Sequence, residues 1–347
     1  MTIIPDVEPD LSDLLHAVFA KHAGKHGVGG PTADKICELD TALWAELSEL
    51  GLTRLTGSPE TGGSGAGWLE AAELLSAAAA AGVRIPVAEH DLLAGALLEE
   101  AGLPADEKLR TVAILDPSGM AAAVPWASAA ESILAVWHAG DQRFIADVPA
   151  SSFNIMSGTN LIGEPRDRVQ IDLDTMSGTP ITDDAVERYL LKGALTRAIM
   201  VSSALDHALA LSCEHVTART QFGRPLARFQ AVQHLIADAA AECALARAAT
   251  EAALAAAIRS DDWSGRDLPF RIAVARSCVG HAATTVVRNA HQVHGAIGTT
   301  NEHSLHRYTR AALAWRAEFG SVTYWDRRLA AIAGAAGPEN LWPLIAD

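Results

Sequence analysis

Between residues 185 and 217 the sequence contains no proline, and apolar side chains recur on almost every side of a helical wheel. A helix that is apolar all round must be buried by other elements. At 1.5 Å per residue this one would be roughly 50 Å long, so the chain has to supply long partner helices. Two follow it. One starts near Phe229 and sets Phe229, Val232, Ile236, Ala239 and Cys243 on a single stripe. The other starts near Asp267, carries Pro269 in its first turn and ends at His294, where Gly295 stops it. Shorter helices over 303–314 and 324–335 complete a four-helix bundle. Asp183 and Asp184 stand where an N-cap and a first-turn acid belong.

The residues before 110 are also helical in pattern. Leu11, Leu14, Leu15, Val18 and Phe19 form one stripe with Gly24 as its stop. A second helix is expected over 42–50, ending at Gly51. After a glycine-rich loop over 57–67, further helices are expected over 70–81 and 91–101, the last closed by Gly102. Between 110 and 177 the character changes to short apolar runs separated by Pro, Gly, Asp and Asn. Strands are expected over 111–115, 132–137, 144–148 and 169–173.

A net charge of −15 argues against a nucleic-acid partner and against docking on an anionic membrane face. The acidic start lacks the basic and apolar regions of a secretory signal, and the Ala-rich stretch over 71–81 is too short to span a bilayer. Cys37, Cys213, Cys243 and Cys278 lie far apart, which predicts reduced, mostly buried thiols in a cytoplasmic protein with no disulfide or metal site.

Two segments are unusual as plain helical surface. Arg-Thr-Gln-Phe-Gly-Arg-Pro-Leu-Ala-Arg-Phe-Gln (219–230) ends one long helix, turns through Gly223 and Pro225, and starts the next. A guanidinium there can grip a phosphate through two parallel hydrogen bonds, or it can cap the last carbonyls of its own helix. The other is Gln-Val-His-Gly-Ala-Ile-Gly-Thr-Thr-Asn-Glu-His (292–303). Its Gly295 and Gly298 let backbone amides approach a ligand closely, although any interhelical turn can use such a pair.

Together, at this separation and in a helical C-terminal block, the two segments resemble the acyl-CoA dehydrogenase family. Leu-Trp-Ala-Glu-Leu-Ser-Glu-Leu-Gly-Leu-Thr (43–53) and Pro-Glu-Thr-Gly-Gly-Ser-Gly-Ala-Gly (59–67) are similar to the family's opening, so the resemblance covers nearly the whole chain. It implies an α+β fold: an N-terminal helical domain (1–109), a small, shortened middle β domain (110–180) and a C-terminal four-helix bundle (181–347). It also implies FAD as cofactor and α,β-dehydrogenation of an acyl-CoA thioester as the reaction. In the family, the arginine matched by Arg219 contacts the FAD pyrophosphate of a neighbouring subunit. Phe222 and Gln230 match residues lining the same nucleotide end. Gln292, Gly295 and Ala296 match a loop facing the neighbour's FAD, with Ala296 standing where the family usually has glycine.

The reaction needs a desolvated carboxylate beside the α-carbon. The family's usual position for that base holds Phe319, followed by Gly320, with Glu318 one residue early; the alternative position holds Gly193. Glu318 is the candidate base if the loop shifts; otherwise it is a loop acid and the base comes from a partner subunit. Asp-Pro-Ser-Gly (116–119) runs almost directly into Ala-Val-Pro-Trp-Ala-Ser-Ala-Ala (123–130). By the resemblance, the strands that wall the flavin ring look deleted, leaving Trp126 to stack on a ring or to fill the core. Keeping the half that serves a neighbour's flavin resembles the short subunit of actinobacterial α2β2 acyl-CoA dehydrogenases of sterol side-chain degradation. The expected partner is another acyl-CoA dehydrogenase subunit. The alternatives are an autonomous, self-assembling FAD enzyme and a non-enzymatic structural subunit.

Overall fold

The proline-free stretch forms one continuous helix, α5 (Asp183–Ala218), 36 residues long. In the computed structural model, residues 7–23, 36–260, 262–265 and 267–346 are described; the helix stop expected at Gly24 lies outside them. Ahead of α5 come α1 (Pro9–Ala23), α2 (Thr41–Glu49), α3 (Trp68–Ala80) and α4 (Ala96–Glu100). After it come α6 (Gln230–Arg259), α7 (Leu268–His294), α8 (Leu305–Trp315), α9 (Val322–Ala336) and α10 (Leu341–Ala346). Local chemistry sets several boundaries. The Asp40 carboxylate accepts the N–H groups of Ala42 and Leu43 to start α2, and the Ser321 hydroxyl accepts that of Tyr324 to start α9. Pro269 sits in the first turn of α7, and Gly295 ends it with φ +64°.

The chain divides into two compact units. The first takes Met1–Gly30, Ala72–Val83 and Ala194–Asp347; the second takes Pro31–Ala71 and Arg84–Gly193. Among the described residues the first unit is helical apart from a two-strand ribbon between α5 and α6. Its centre is α7, which buries Ile272, Val279 and Val286 at seven-residue spacing. Helix α6 packs along it with a row of small residues, Ala239, Cys243, Ala246 and Ala253, whose short side chains let the two axes approach closely.

The second unit contains β1 (Arg110–Ile114), β2 (Met120–Pro125), β3 (Ser132–Ala139), β4 (Gln142–Pro149), β5 (Asn154–Met156), β6 (Arg166–Gln170) and β7 (Thr179–Ile181). They form a sheet of order β1-β3-β4-β7 and another of order β2-β6-β5. Strands β1 and β3 run parallel with Arg110 opposite Ser132, while β3 and β4 form a hairpin around Gly140, whose φ is +62°. Ile133, Ala135, Trp137, Phe153 and Val169 fill the core of this unit. Trp126 is 2% exposed, so it is a core side chain. The strand expected over 169–173 is displaced: β6 ends at Gln170, and Leu173–Thr175 turn into a 3-10 helix.

The helix expected over 91–101 also differs. Ala88–Gly95 form a π-helix before α4 begins. The turn buries Glu89, His90 and Asp91 in succession, and buried polar groups require partners. Asp91 accepts both the N–H (2.9 Å) and the hydroxyl (3.0 Å) of Thr56, and His90 Nδ1 accepts the N–H of Arg110 (3.1 Å). Arg110 is itself 2% exposed and donates to Asp147 through Nε (3.1 Å) and Nη2 (2.8 Å). Asp147 also accepts the Ser132 hydroxyl. No helix among the described residues is long and apolar enough to cross a membrane. Cys37 and Cys243 are buried, Cys278 is half-buried and Cys213 is exposed; all four are free thiols.

Two predictions follow from the π-turn and its neighbours. Asp147→Ala removes one of the two carboxylates that pair with the buried Arg110 guanidinium, leaving Asp106, and lowers unfolding stability by about 2 kcal/mol, read from urea denaturation. The second concerns pH. Burial, reinforced by the Arg110 charge, pushes His90 from 6.5 down to about 4, so stability falls as pH drops through that interval. Burial outweighs the Thr56 hydrogen bonds and pushes Asp91 from 3.8 up to about 6, so stability falls as pH rises through that interval. The two effects oppose each other at pH 4–6, each on the order of 3 kcal/mol. His90→Asn should therefore lose stability relative to wild type as pH is raised from 4 to 6.

Candidate functional site

Immediately after α5, β8 (Thr220–Gln221) pairs with β9 (Arg224–Pro225) in a two-residue hairpin. Both central residues adopt left-handed φ, +51° at Phe222 and +77° at Gly223. This geometry matches the twist of the short ribbon. It also throws Phe222 outward, where it is 89% exposed. Arg224 lies 4.1 Å above the Phe229 ring, and Phe222 meets the same ring edge-on at 6.1 Å. The carbonyl of Arg219 accepts the Leu226 N–H (2.9 Å), closing the hairpin. No carbonyl or side chain among the described residues pairs with the Arg219 guanidinium, so it does not cap its own helix. Its side chain and that of Gln230, the first residue of α6, face solvent.

The second segment follows the C-terminal end of α7. Gln292, Gly295 and Ala296 are exposed, and Gly295–Thr299 form a 3-10 turn. Gly298 is buried in that turn, and a Cβ there would lie 2.7 Å from the Cβ of His294. The two segments meet through histidines. His215, one turn before Arg219, stacks on His294, next to Gly295, with centroids 4.4 Å apart. The ring of His303 closes edge-on against His294 at 4.6 Å. The α5 hairpin and the α7 turn therefore share one end of the helical unit. They bring Arg219, Phe222, Gln230, Gln292, Gly295 and Ala296 to its surface. No local pattern in the sequence marks the histidine cluster, because its members are 79 and 9 residues apart.

Glu318 lies on the loop between α8 and α9. Its Oε2 accepts the Nε–H of Arg197 at 2.7 Å, with the arginine 1% and the glutamate 16% exposed. A second buried guanidinium holds the loop itself. Arg276 Nη2 donates to the carbonyls of Arg316 (2.9 Å), Glu318 (2.7 Å) and Gly320 (3.1 Å). Burial, with Arg197 adding to it, brings Arg276 down to about 9. Phe319 takes a left-handed φ of +52° and places its ring beneath the Arg197 guanidinium. Glu318 is thus committed to a buried ion pair. Gly193 is buried within α5.

A separate groove of about 440 Å³ runs between α3, α5 and α6, lined by Ser76, Ala80, Ile199, Ser203, Thr250 and Leu254. An Asp206–Arg247 ion pair stands beside it. None of the residues singled out in the sequence lines it.

Known proteins resemble the chain in sequence and in fold. Residues 184–330 match the C-terminal domain family of acyl-CoA dehydrogenases. The acyl-CoA dehydrogenase IpdE2 of Mycobacterium tuberculosis is 28% identical over 328 residues, spanning 89% of this chain and 91% of that protein. In the crystal structure of the ChsE4-ChsE5 complex from M. tuberculosis, one chain superposes with a TM-score of 0.83 at 20% identity, covering 97% of this chain and all of that one. The steroid ACAD Tcur3481-Tcur3483 gives a TM-score of 0.80 at 22% identity, covering 94% and 98%. The chain has the acyl-CoA dehydrogenase fold, and its residues 184–330 match the C-terminal domain of that family.

Proposed function

We propose that this chain is a subunit of an FAD-dependent acyl-CoA dehydrogenase and that it completes the flavin site of a partner subunit. The observation that carries this reading is the outward placement of Arg219, Phe222, Gln230, Gln292, Gly295 and Ala296 at one end of the helical unit. A guanidinium with no partner among the described residues, beside an exposed aromatic ring and a glycine turn, suits the phosphates and adenine of a dinucleotide. When bound, the flavin supplies the hydride acceptor for α,β-dehydrogenation of a CoA thioester. Arg219 grips a phosphate, Phe222 offers an apolar platform, and Gly295 admits close backbone approach.

Glu318 is the one carboxylate of this chain near the family's usual base position, and its ion pair with Arg197 argues for a role in fixing the loop. The proton-abstracting carboxylate then comes from the partner. The similarity to chains of the ChsE4-ChsE5 complex and of a steroid ACAD favours a heteromeric assembly and a bulky, sterol-derived acyl group.

Co-expression tests the assembly. The chain alone should be colourless and inactive, whereas the complex with an adjacent acyl-CoA dehydrogenase subunit should be yellow, active and hold fewer flavins than chains. A yellow, active product from this chain alone refutes the heteromer. In the complex, Arg219→Ala should loosen FAD by about ten- to a hundredfold, as expected for about 1.5–3 kcal/mol from a charged hydrogen bond. Fluorescence of the released flavin on dilution measures it. Glu318→Gln should lower the thermal midpoint while leaving kcat per bound flavin nearly unchanged. A fall of about a hundredfold or more in kcat would instead assign the base to Glu318.

A further inference from the structure

A histidine cluster joins the two surface segments. We infer that His215, His294 and His303 form a binding site for a late first-row divalent cation of the Zn2+ type. The site is independent of the flavin reading, since it stands on three side chains of this chain alone.

One ring nitrogen from each histidine lies within 4.8 Å of the other two. His294 fixes the chemistry. Its Nδ1 lies 2.8 Å from the Ala290 carbonyl, an oxygen that can only accept, so the proton is on Nδ1 and Nε2 carries a lone pair. That Nε2 is buried and has no hydrogen-bond partner, in a residue only 5% exposed. A buried lone pair calls for a cation or a donor and is unsuited to a phosphate oxygen. A ring nitrogen anchored to a backbone carbonyl while the other faces inward is also the usual state of a metal-ligating histidine.

The other two rings complete the set. His215 and His303 are half-buried, and they meet at 6.2 Å with planes at 89°, so their edges converge on His294 from different directions. Burial keeps both His215 and His294 below the ordinary imidazole range, His294 at about 4, so both are neutral and competent as ligands near pH 7. Two features oppose binding. The Nδ1 of His303 accepts the Leu305 N–H at 3.1 Å, which places the ring proton on Nε2, so ligation through either nitrogen gives up that hydrogen bond. Arg219, one turn beyond His215, adds an opposing charge. With metal–nitrogen bonds of about 2.1 Å, tetrahedral ligands sit about 3.4 Å apart, so the rings must draw in by roughly an ångström. The partial exposure of His215 and His303 leaves room for that movement. A neutral three-nitrogen set suits Zn2+, Co2+, Ni2+ or Cu2+ and is a poor match for Mg2+ or Ca2+.

Occupancy would tie the end of α5, the end of α7 and the loop before α8 that carries His303 to one ion, and so fix the hairpin bearing Arg219 against the turn bearing Gly295. Co2+ is the probe. The full chain, free of any histidine tag and stripped with chelator, is titrated with Co2+ alone and with its partner subunit present. The expected result is one Co2+ per chain with visible d–d absorption, no thiolate charge-transfer band, and displacement by Zn2+. His303→Ala removes a half-buried ring and the hydrogen bond it accepts from the Leu305 N–H, and His294→Gln keeps a polar side chain in place; both should bind at least tenfold more weakly. Circular dichroism checks that each variant folds. Zn2+ should raise the thermal midpoint of wild type and not that of His303→Ala. Wild-type binding no tighter than that of either variant, or a thiolate band, overturns the site and leaves the three rings as packing alone.

Discussion

A guanidinium buried inside a helical bundle has to find oxygen atoms, and Arg276 finds three of them in the carbonyls of Arg316, Glu318 and Gly320. Those contacts bind the loop between α8 and α9 to the middle of α7. The loop's one acidic side chain is then drawn to Arg197 of α5. Two cations and one carboxylate thus lock α5, α7 and the loop into a single arrangement. A buried ion pair of this kind adds little net stability, because desolvation offsets its attraction, but losing one member leaves a charge stranded. Its structural effect is to allow one loop conformation only. The cost shows in the backbone, where Phe319 is held at a left-handed φ.

Much of the fold could be read from the sequence, for local reasons. The absence of proline together with apolar residues all round identifies α5. Pro269 and Gly295 bracket α7, and the glycine and proline between α5 and α6 mark a turn. The two C-terminal segments are legible because each is contiguous and places its key residues within a dozen positions. What escaped the reading is non-local. Strands β5 and β7 are three residues long, too short for an alternating pattern to emerge. Strand β2 contains a register shift between Ala121 and Val124 that breaks its alternation. The π-turn at 88–95 depends on what Thr56 and Arg110 offer from elsewhere, and no helical propensity scale contains that information.

The candidate site divides in the same way. Its surface residues are legible as motif positions, while the ion pair of Glu318 joins residues 121 positions apart and could not be foreseen. The histidine cluster is of the second kind too. His294 and His303 share the 292–303 segment, but only packing of the ends of α5 and α7 adds His215 to them.

The hairpin at 220–225 has a cost of its own. A left-handed conformation at a bulky, non-glycine residue is unfavourable by roughly 1–2 kcal/mol, and Phe222 accepts it while leaving most of its ring in water. Gly or Asn would hold the same turn without strain. A sequence tuned only for its own folding would drift toward one of them. Phenylalanine at this position therefore makes the chain slightly less stable and more adhesive than a Gly or Asn turn would.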